Sequence, residues 1–184
     1  MDKQKALNEI AKEIEVCEEC KVNKVGIAVP GEGNPDSKLV FIGEAPGKNE
    51  AKSGKPFIGR SGQFLRKMIR NFLNLDDIKD VFITSPVKYL PIHGTPRPSE
   101  INHGRLHLMK QLDIISPQII VLMGNVAIRG VLSEMIPVKS RHGEIIERDE
   151  KRYFLTLHPA AGIRFPKLKT IIEEDFRMLK KLIK

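Results

Sequence analysis

Short apolar runs occur at four places along the chain and predict buried β-strands. Each run ends in glycine, proline or polar residues, as the strands of a buried sheet usually do. The runs are KLVFIG (38–43), VFITSPVKYL (81–90), QIIVLMG (118–124) and KRYFLTLHP (151–159). The charged segment RHGEIIERDE (141–150) predicts either a small hairpin or a charged excursion before the last strand.

Segments with apolar residues three or four positions apart lie around these runs and predict amphipathic helices. The clearest is SGQFLRKMIRNFL (61–73), for which Ser61 is the predicted N-cap. Other helices are predicted over 2–16, 99–115 and 167–183, and one starts at NVAIRGVL (125–132). Alternating strands and helices predict an α/β fold, a three-layer α/β/α sandwich with a central, mainly parallel four-stranded sheet, in which residues 1–184 form a single domain.

The loops after the strands are where chemistry is expected, because ligands of such folds bind at the carboxyl ends of the strands. The loop GEAPGKNEAKSGKPFIG (43–59) follows the first strand and contains four glycines. Its glycines, Gly47 among them, allow backbone N–H groups to approach a ligand closely. Phe57 can stack on a flat ring, and Glu44 or Glu50 can polarise a water molecule.

The loop after the fourth strand adds His158, a candidate hydrogen-bond donor to a developing oxyanion. Each candidate has a structural alternative: Phe57 as a core residue, Glu50 as a helix cap or ion-pair partner, and His158 as an ordinary loop histidine. Together, at the strand ends of one sheet, they predict a functional site. The phosphate-binding motifs G-x-x-x-x-G-K-[ST] and G-x-G-x-x-G are absent from the sequence, which argues against a nucleotide hydrolase.

The net charge of +8 suits a polyanionic partner such as DNA, since lysine and arginine release counterions from phosphates. A solvated, lysine-rich surface is the alternative explanation of the charge. No apolar run approaches the roughly 20 residues that span a bilayer, so no membrane partner is expected. The charged N-terminal segment lacks the apolar core of a secretory signal, which predicts a cytoplasmic protein.

The chain has two cysteines, Cys17 and Cys20, spaced C-x-x-C. In a cytoplasmic protein this spacing is typical of half a metal or cluster site, or of a redox pair. Because the pair follows a helical segment rather than a strand, half a metal site is the preferred interpretation.

The segment VPGEGNPDSKLVFIGEAPGKNEAKSGKPFIGRSGQFL (29–65) resembles the first conserved block of the family 4 uracil-DNA glycosylases. LHPAAGIR (157–164) resembles the second block, and VCEEC, FITSPVK and IIVLMGNVA fit the rest in order. The resemblance covers essentially the whole chain. It implies a monofunctional DNA repair glycosylase that flips a deaminated base, uracil above all, out of DNA and hydrolyses its N-glycosidic bond, leaving an abasic site.

The resemblance assigns a role to each candidate in the first loop. Phe57 stacks on the uracil ring, and backbone N–H groups of Glu44, Ala45 and Gly47 bind the edge of the base. Glu50 positions or activates the water, or stabilises the positive charge that develops on the sugar.

The resemblance also assigns the residues that surround the base. His158 donates a hydrogen bond to uracil O2 as the base leaves. Arg164 and its neighbours fill the gap in the duplex or hold its backbone. Arg60 and Ser61, at the start of the basic helix 61–73, grip phosphates.

The chain departs from the family at its cofactor. Family members hold a 4Fe-4S cluster with four cysteines, and Cys17 and Cys20 match the first pair. The other two would fall near residues 88–89 and 103–104, where this chain has no cysteine.

A cubane cluster normally takes four protein ligands. The simplest interpretation is that no cofactor is bound and packing holds the segment. One alternative is a zinc site completed by His93, His103 or His107. The other is a 4Fe-4S cluster completed by non-cysteine ligands.

A second departure is Ser85, which stands where the family motif has an asparagine that reads the uracil edge. With serine there, the protein could remove uracil more slowly, accept another deaminated base such as hypoxanthine, or use a water molecule to bridge to the base. A DNA-binding or damage-sensing protein with little activity is the alternative function. IHGTP (92–96) is similar to a string in a branch that crosslinks DNA through a histidine, so His93 is either near the sugar or an exposed loop residue. A monomer is expected, with a sliding clamp as a further candidate partner.

Overall fold

A computed structural model describes residues 2–183, so the predicted domain boundaries at 1 and 184 lie outside the described residues. The strands, in chain order, are β1 Lys24–Val25, β2 Glu32–Gly33, β3 Leu39–Ile42, β4 Val81–Thr84, β5 Leu90–Pro91, β6 Ile119–Met123, β7 Ile145–Arg148 and β8 Lys151–Thr156. The helices are α1 Lys3–Val16, α2 Glu18–Lys21, α3 Glu50–Ser53, α4 Arg60–Met68, α5 Pro98–Ile115, α6 Asn125–Leu132, α7 Val138–Arg141, α8 Pro159–Arg164 and α9 Pro166–Leu182. A π-helical turn, Ile69–Leu73, extends α4.

The main sheet has six strands in the order β2-β4-β3-β6-β8-β7. Its four central strands, β4, β3, β6 and β8, are mutually parallel and correspond to the four predicted strands. Short antiparallel strands, β2 and β7, form the two edges. The fold class is confirmed, and the two edge strands are additions to the predicted four. β2 was missed because it has only two residues and no apolar run. β7 is largely exposed and lies in the segment for which a small hairpin was one of two predicted alternatives.

Helices cover both faces of the sheet. On one side α8 contacts both α4 and α9, and α9 also contacts the π-helical turn that extends α4. Phe176 of α9 stacks on Phe41 of β3 with ring centroids 5.9 Å apart. On the other side α5 contacts α1 and α6. All four residues of β3 and of β4 and all five of β6 are buried, as strands covered on both faces should be.

Helix boundaries follow the predicted periodicity with two corrections. Gly59, rather than Ser61, is the N-cap of α4, because the helix starts one residue earlier than predicted, at Arg60. Residues 159–164, predicted as a loop, form the short helix α8, which begins at Pro159 with His158 as its N-cap. The segment 141–150 contributes β7 to a hairpin with β8. Within residues 2–183, no helix combines the length and the apolar character that crossing a bilayer requires.

Candidate active site

A cavity of about 550 Å³ opens at the carboxyl ends of the parallel strands. Its walls come from the loops after β3, β4 and β8. Nine of the predicted site residues line it: Glu44, Ala45, Gly47, Glu50, Phe57, Arg60, Ser61, Ser85 and His158. Loops separated by more than a hundred residues in sequence therefore meet at one place, as expected for an open parallel sheet whose strand order reverses beside β3.

Glu50 is held in place by backbone amides. Its Oε1 accepts hydrogen bonds from the N–H of Ile58 at 2.9 Å and of Gly59 at 2.8 Å. Its Oε2 faces Gly47, where an added Cβ would lie only 2.7 Å away. The side chain is 8% exposed. One carboxylate oxygen is thus bound by the loop, while the other has no hydrogen-bond partner among the described residues and borders a glycine that leaves space beside it.

Phe57 has a strained backbone that turns its ring into the site. Its φ is +53°, a left-handed conformation that non-glycine residues rarely adopt. The edge of its ring fits against Gly43 and its backbone against Gly62, where an added Cβ would come within 2.4 Å and 2.0 Å of Phe57 atoms. Such strain persists only where the surroundings enforce it, and it concentrates at functional sites.

Arg66 provides much of that enforcement, and sequence reasoning missed it. The chain's basic residues suggested a phosphate contact, but the guanidinium of Arg66 points inward and its side chain is only 12% exposed. It donates to the carbonyls of Phe57 and Pro56 at 3.0 and 2.9 Å. It also pairs with Glu32 and Asp77, each at 2.9 Å. The planar guanidinium can serve four acceptors at once, which explains why this position needs arginine.

His158 presents one ring nitrogen to the site. Its Nδ1 accepts the N–H of Ala160 at 3.2 Å, so in the neutral ring the proton is on Nε2. Burial lowers the pKa of His158 to about 4. A neutral imidazole with its Nε2–H free is a hydrogen-bond donor, not a general acid, at neutral pH. Its ring lies 6.0 Å from that of Phe57 between centroids.

The other polar groups of the cavity, Glu44 and Ser85, differ in the hydrogen bonds that they can offer a ligand. Burial raises the pKa of Glu44. Ser85 is 6% exposed, and its hydroxyl donates to the carbonyl of Val87 at 2.8 Å. With that hydrogen committed, Ser85 offers lone pairs to a ligand but no donor.

Two residues discussed from the sequence do not line the cavity: Arg164, a predicted DNA contact, and His93, for which a place near the sugar was one alternative. Arg164 is exposed at the end of α8, whereas its neighbour Ile163 does line the cavity with 37% of its side chain exposed. His93 is exposed in the loop after β5. Lys48 and Asn49 also line the cavity and carried no distinguishing motif in the sequence.

The two cysteines lie elsewhere, beside α5. Cys17 and Cys20 gather with His103 and His107, and one ligand atom of each lies within 4.8 Å of all the others. Burial raises the pKa of the Cys20 thiol to about 12, whereas reactive thiols have a lowered pKa, so a redox pair is not favoured. These four residues could hold a metal ion, and the expectation that no cofactor is bound and packing alone holds the segment is not confirmed.

Comparison with known proteins agrees with this geometry. The model of the uracil DNA glycosylase superfamily matches residues 30–180. A type-4 uracil-DNA glycosylase of Sulfurisphaera tokodaii is 38% identical, covering 96% of this chain and 84% of that protein. Type-4 uracil-DNA glycosylases of Saccharolobus solfataricus (36% identical, covering 96% of this chain and 86% of the relative) and Archaeoglobus fulgidus (32%, covering 96% and 93%) are similar over the same span.

The fold and the site define a DNA glycosylase. The chain belongs to the uracil-DNA glycosylase superfamily, and within it to the type-4 family.

Proposed function

We propose that this protein removes uracil from DNA by hydrolysing the N-glycosidic bond, leaving an abasic site. The observation that carries the proposal is the convergence of Glu50, Phe57, Ser85 and His158 on one cavity large enough for a pyrimidine. Base excision requires the nucleotide to leave the stack, and a pocket that stacks and hydrogen-bonds the flipped base offsets that cost of a few kcal/mol.

Phe57 and the loop that carries it form the base-binding wall. The edge of its ring fits against Gly43, which leaves a face of the ring on which the flipped base stacks. Arg66 and Gly62 fix the Phe57 backbone before DNA binds. Binding therefore costs little conformational entropy in the loop that carries Phe57.

Glu50 and His158 act on opposite sides of the breaking bond. As the C1′–N bond breaks, its electron pair moves onto the uracil ring and O2 becomes negative. The Nε2–H of neutral His158 stabilises that charge without transferring its proton. Water adds to C1′, and its proton passes to Glu50 or, through solvent, to the departing uracil anion. Glu50, whose Oε1 is fixed by two amides, holds the water or stabilises the cationic sugar with Oε2.

DNA binding is assigned to the rim of the cavity. Lys48 and Arg60 carry positive charge there, and Ser61 lies in the first turn of α4. Ile163 and Phe165, exposed on either side of Arg164, are suited to enter the gap left by the flipped base. We further propose that the protein acts as a monomer in the cytoplasm, as expected from its sequence.

An excision assay tests the proposal. Oligonucleotides with one uracil opposite guanine, opposite adenine or unpaired are incubated with protein and then treated with alkali to cleave abasic sites. Glu50→Gln and His158→Ala should each lower the single-turnover rate by about 10²–10³-fold, because each removes a group that acts in the transition state. Glu147→Gln, on exposed β7, is the matched control and should cleave as wild type does.

A panel of other damaged or mismatched bases distinguishes uracil excision from excision of another base and from DNA binding without catalysis. Parallel oligonucleotides carry hypoxanthine, xanthine or thymine opposite guanine. Cleavage confined to one of these would retain the mechanism and reject uracil as the substrate. DNA binding without cleavage of any substrate would reject the enzyme and leave a damage-sensing protein.

A further inference from the structure

Four side chains with metal-ligating atoms converge where the N-terminal segment meets α5. Cys17 joins α1 to α2 and Cys20 lies in α2, while His103 and His107 lie one turn apart on α5. Cys17 Sγ is 3.1 Å from Nε2 of His103. Cys20 and His107 are buried and the other two are half-buried. None of the four lines the cavity of the candidate active site.

The spacing of these atoms matches a single tetrahedral ion. Zn–S bonds of about 2.3 Å and Zn–N bonds of about 2.0–2.1 Å place tetrahedral ligand atoms roughly 3.3–3.8 Å apart. The observed upper limit of 4.8 Å and the 3.1 Å contact bracket that range. Small side-chain adjustments therefore suffice to close a four-ligand site. Two thiolates and two imidazoles are also one of the standard ligand sets of structural zinc.

A 4Fe-4S cluster does not fit these residues. Each iron of a cubane takes its own ligand, usually a thiolate, so the ligands stand apart by the width of the cluster. Of the two places where the family resemblance expects cysteines, the first holds Tyr89 and the second holds His103 followed by Gly104, so neither supplies a thiolate. Tyr89 packs with Ile14 and Cys20 in a small apolar cluster, and its hydroxyl donates to the carbonyl of Ile14 at 3.3 Å. A Cβ at Gly104 would lie 2.1 Å from the carbonyl oxygen of Pro86.

Carboxylates stand behind both histidines. Nδ1 of His103 lies 3.2 Å from a carboxylate oxygen of Glu19, so its Nε2 is left for a ligand. Glu13 lies 3.9 Å from Nδ1 of His107, a buried nitrogen without a hydrogen-bond partner among the described residues. Carboxylates behind metal-bound histidines commonly fix the orientation of the ring.

We propose that Cys17, Cys20, His103 and His107 bind one Zn²⁺ in a closed tetrahedral site that joins α2 to α5 in place of an iron–sulfur cluster. The two thiols release their protons to solvent when the ion binds, and no electron is transferred. With four protein ligands the ion has no open position, so its role is structural.

Metal analysis of the purified protein is the first test. The full chain is produced without a histidine tag, in medium supplied with both iron and zinc, and purified anaerobically without chelator. We expect about one zinc per chain, almost no iron, and no visible iron–sulfur absorption. A brown protein with several irons and acid-labile sulfide, or a protein with neither metal, would overturn the proposal.

Cobalt substitution tests the geometry and the ligands. Protein refolded with Co²⁺ should show the intense visible bands of a tetrahedral site and a thiolate-to-cobalt charge-transfer band. His103→Cys adds a third thiolate and should intensify the charge-transfer band while keeping the ion. His103→Ala should lower metal affinity by at least about tenfold.

His93→Ala is the matched control, because His93 is an exposed histidine of the same chain, and it should keep one zinc. If His103→Ala and His93→Ala retained zinc equally well, His103 would not be a ligand. Because the His103→Cys spectrum reports coordination directly, poor folding of the alanine variant would not leave the question open. None of these readouts depends on glycosylase activity.

Discussion

At the scale of the residue, the candidate site depends on glycines placed where a side chain would strike a functional group. Gly47 makes room beside Glu50 Oε2, and Gly43 and Gly62 make room for Phe57. These contacts explain why a glycine-rich loop carries an aromatic ring and a carboxylate: the glycines shape the space that the other two occupy. The loop sequence suggested a close backbone approach to a ligand, but the nearest neighbours of these glycines are the site's own side chains.

Ser85 leads to a prediction about how the base is read. Its hydroxyl donates to the carbonyl of Val87, so we expect it to accept from uracil N3–H but not to donate to O4. Ser85→Ala should lower kcat/KM for uracil about tenfold, the effect of one hydrogen bond, and Ser85→Asn should raise it by a similar factor, because the amide supplies both donor and acceptor.

Single-turnover rates on a uracil–guanine duplex measure the effect. Ser140→Ala is the control, since that exposed hydroxyl also bonds a nearby carbonyl, that of Pro137, outside the cavity. An unchanged rate for Ser85→Ala would mean that Ser85 does not contact the base.

At the scale of the element, α4 connects the site to the protein interior. Its N-terminal end borders the cavity, while Arg66, two turns along, reaches back to the carbonyls of residues 56 and 57. Periodicity predicted this helix because its apolar face is continuous. Periodicity does not indicate which polar side chain turns inward, so Arg66 was not distinguished from the other basic residues of the helix.

Arg66 and Arg70 provide a matched pair of variants. Both pair with Asp77, but the side chain of Arg70 is 52% exposed and that of Arg66 is 12% exposed. Arg66→Met should destabilise the protein by about 3–5 kcal/mol, because buried acceptors lose their charged partner. Arg70→Met should cost less than about 1 kcal/mol.

Urea unfolding measures both variants, and excision kinetics show whether the Phe57 loop loosens. We expect a raised KM for Arg66→Met alone. Equal destabilisation by the two variants would contradict a bracing role for Arg66.

Local patterns in the sequence predicted part of the fold and of the site, whereas contacts between distant segments could not be predicted. Long apolar periods and runs predicted the four central strands and the main helices. Family resemblance and strand-end reasoning predicted nine residues that line one cavity. The strained φ of Phe57, the inward turn of Arg66 and the helix capped by His158 depend on contacts between distant segments, which no local pattern encodes. His103 and His107 were named as candidate zinc ligands together with His93. Their spacing of four residues on one helix was an unused signal that would have distinguished them from His93.

At the scale of the whole molecule, the position of the cavity leads us to expect DNA at the carboxyl edge of the sheet. The net charge is +8, and the cationic residues Lys48 and Arg60 lie at the cavity. The opposite, amino edge is marked by Lys3, which donates to the carbonyl of Ile115 shortly before β6 begins. Only the carboxyl edge should therefore exchange counterions with DNA.

The salt dependence of DNA binding tests whether DNA contacts the carboxyl edge of the sheet rather than the amino edge. Arg60→Gln should reduce the slope of log K against log salt by about one and weaken binding to all sequences alike. Lys5→Gln removes the same charge from the first turn of α1, near the amino edge, and should leave the slope unchanged. Fluorescence anisotropy with uracil-free duplexes provides the measurement. Equal slopes for the two variants would place DNA elsewhere.

The close approach of Gly104 to Pro86 has a consequence for redesign of the metal site. A side chain cannot be added at position 104 without moving α5, because its Cβ would lie 2.1 Å from the carbonyl oxygen of Pro86. Position 103 already directs its side chain at Cys17, with Nε2 3.1 Å from Sγ, so a third thiolate is best introduced there. A fourth thiolate at position 89 would remove a tyrosine that packs with Ile14 and Cys20. Converting this chain to four thiolate ligands would therefore exchange apolar packing for metal ligation at position 89.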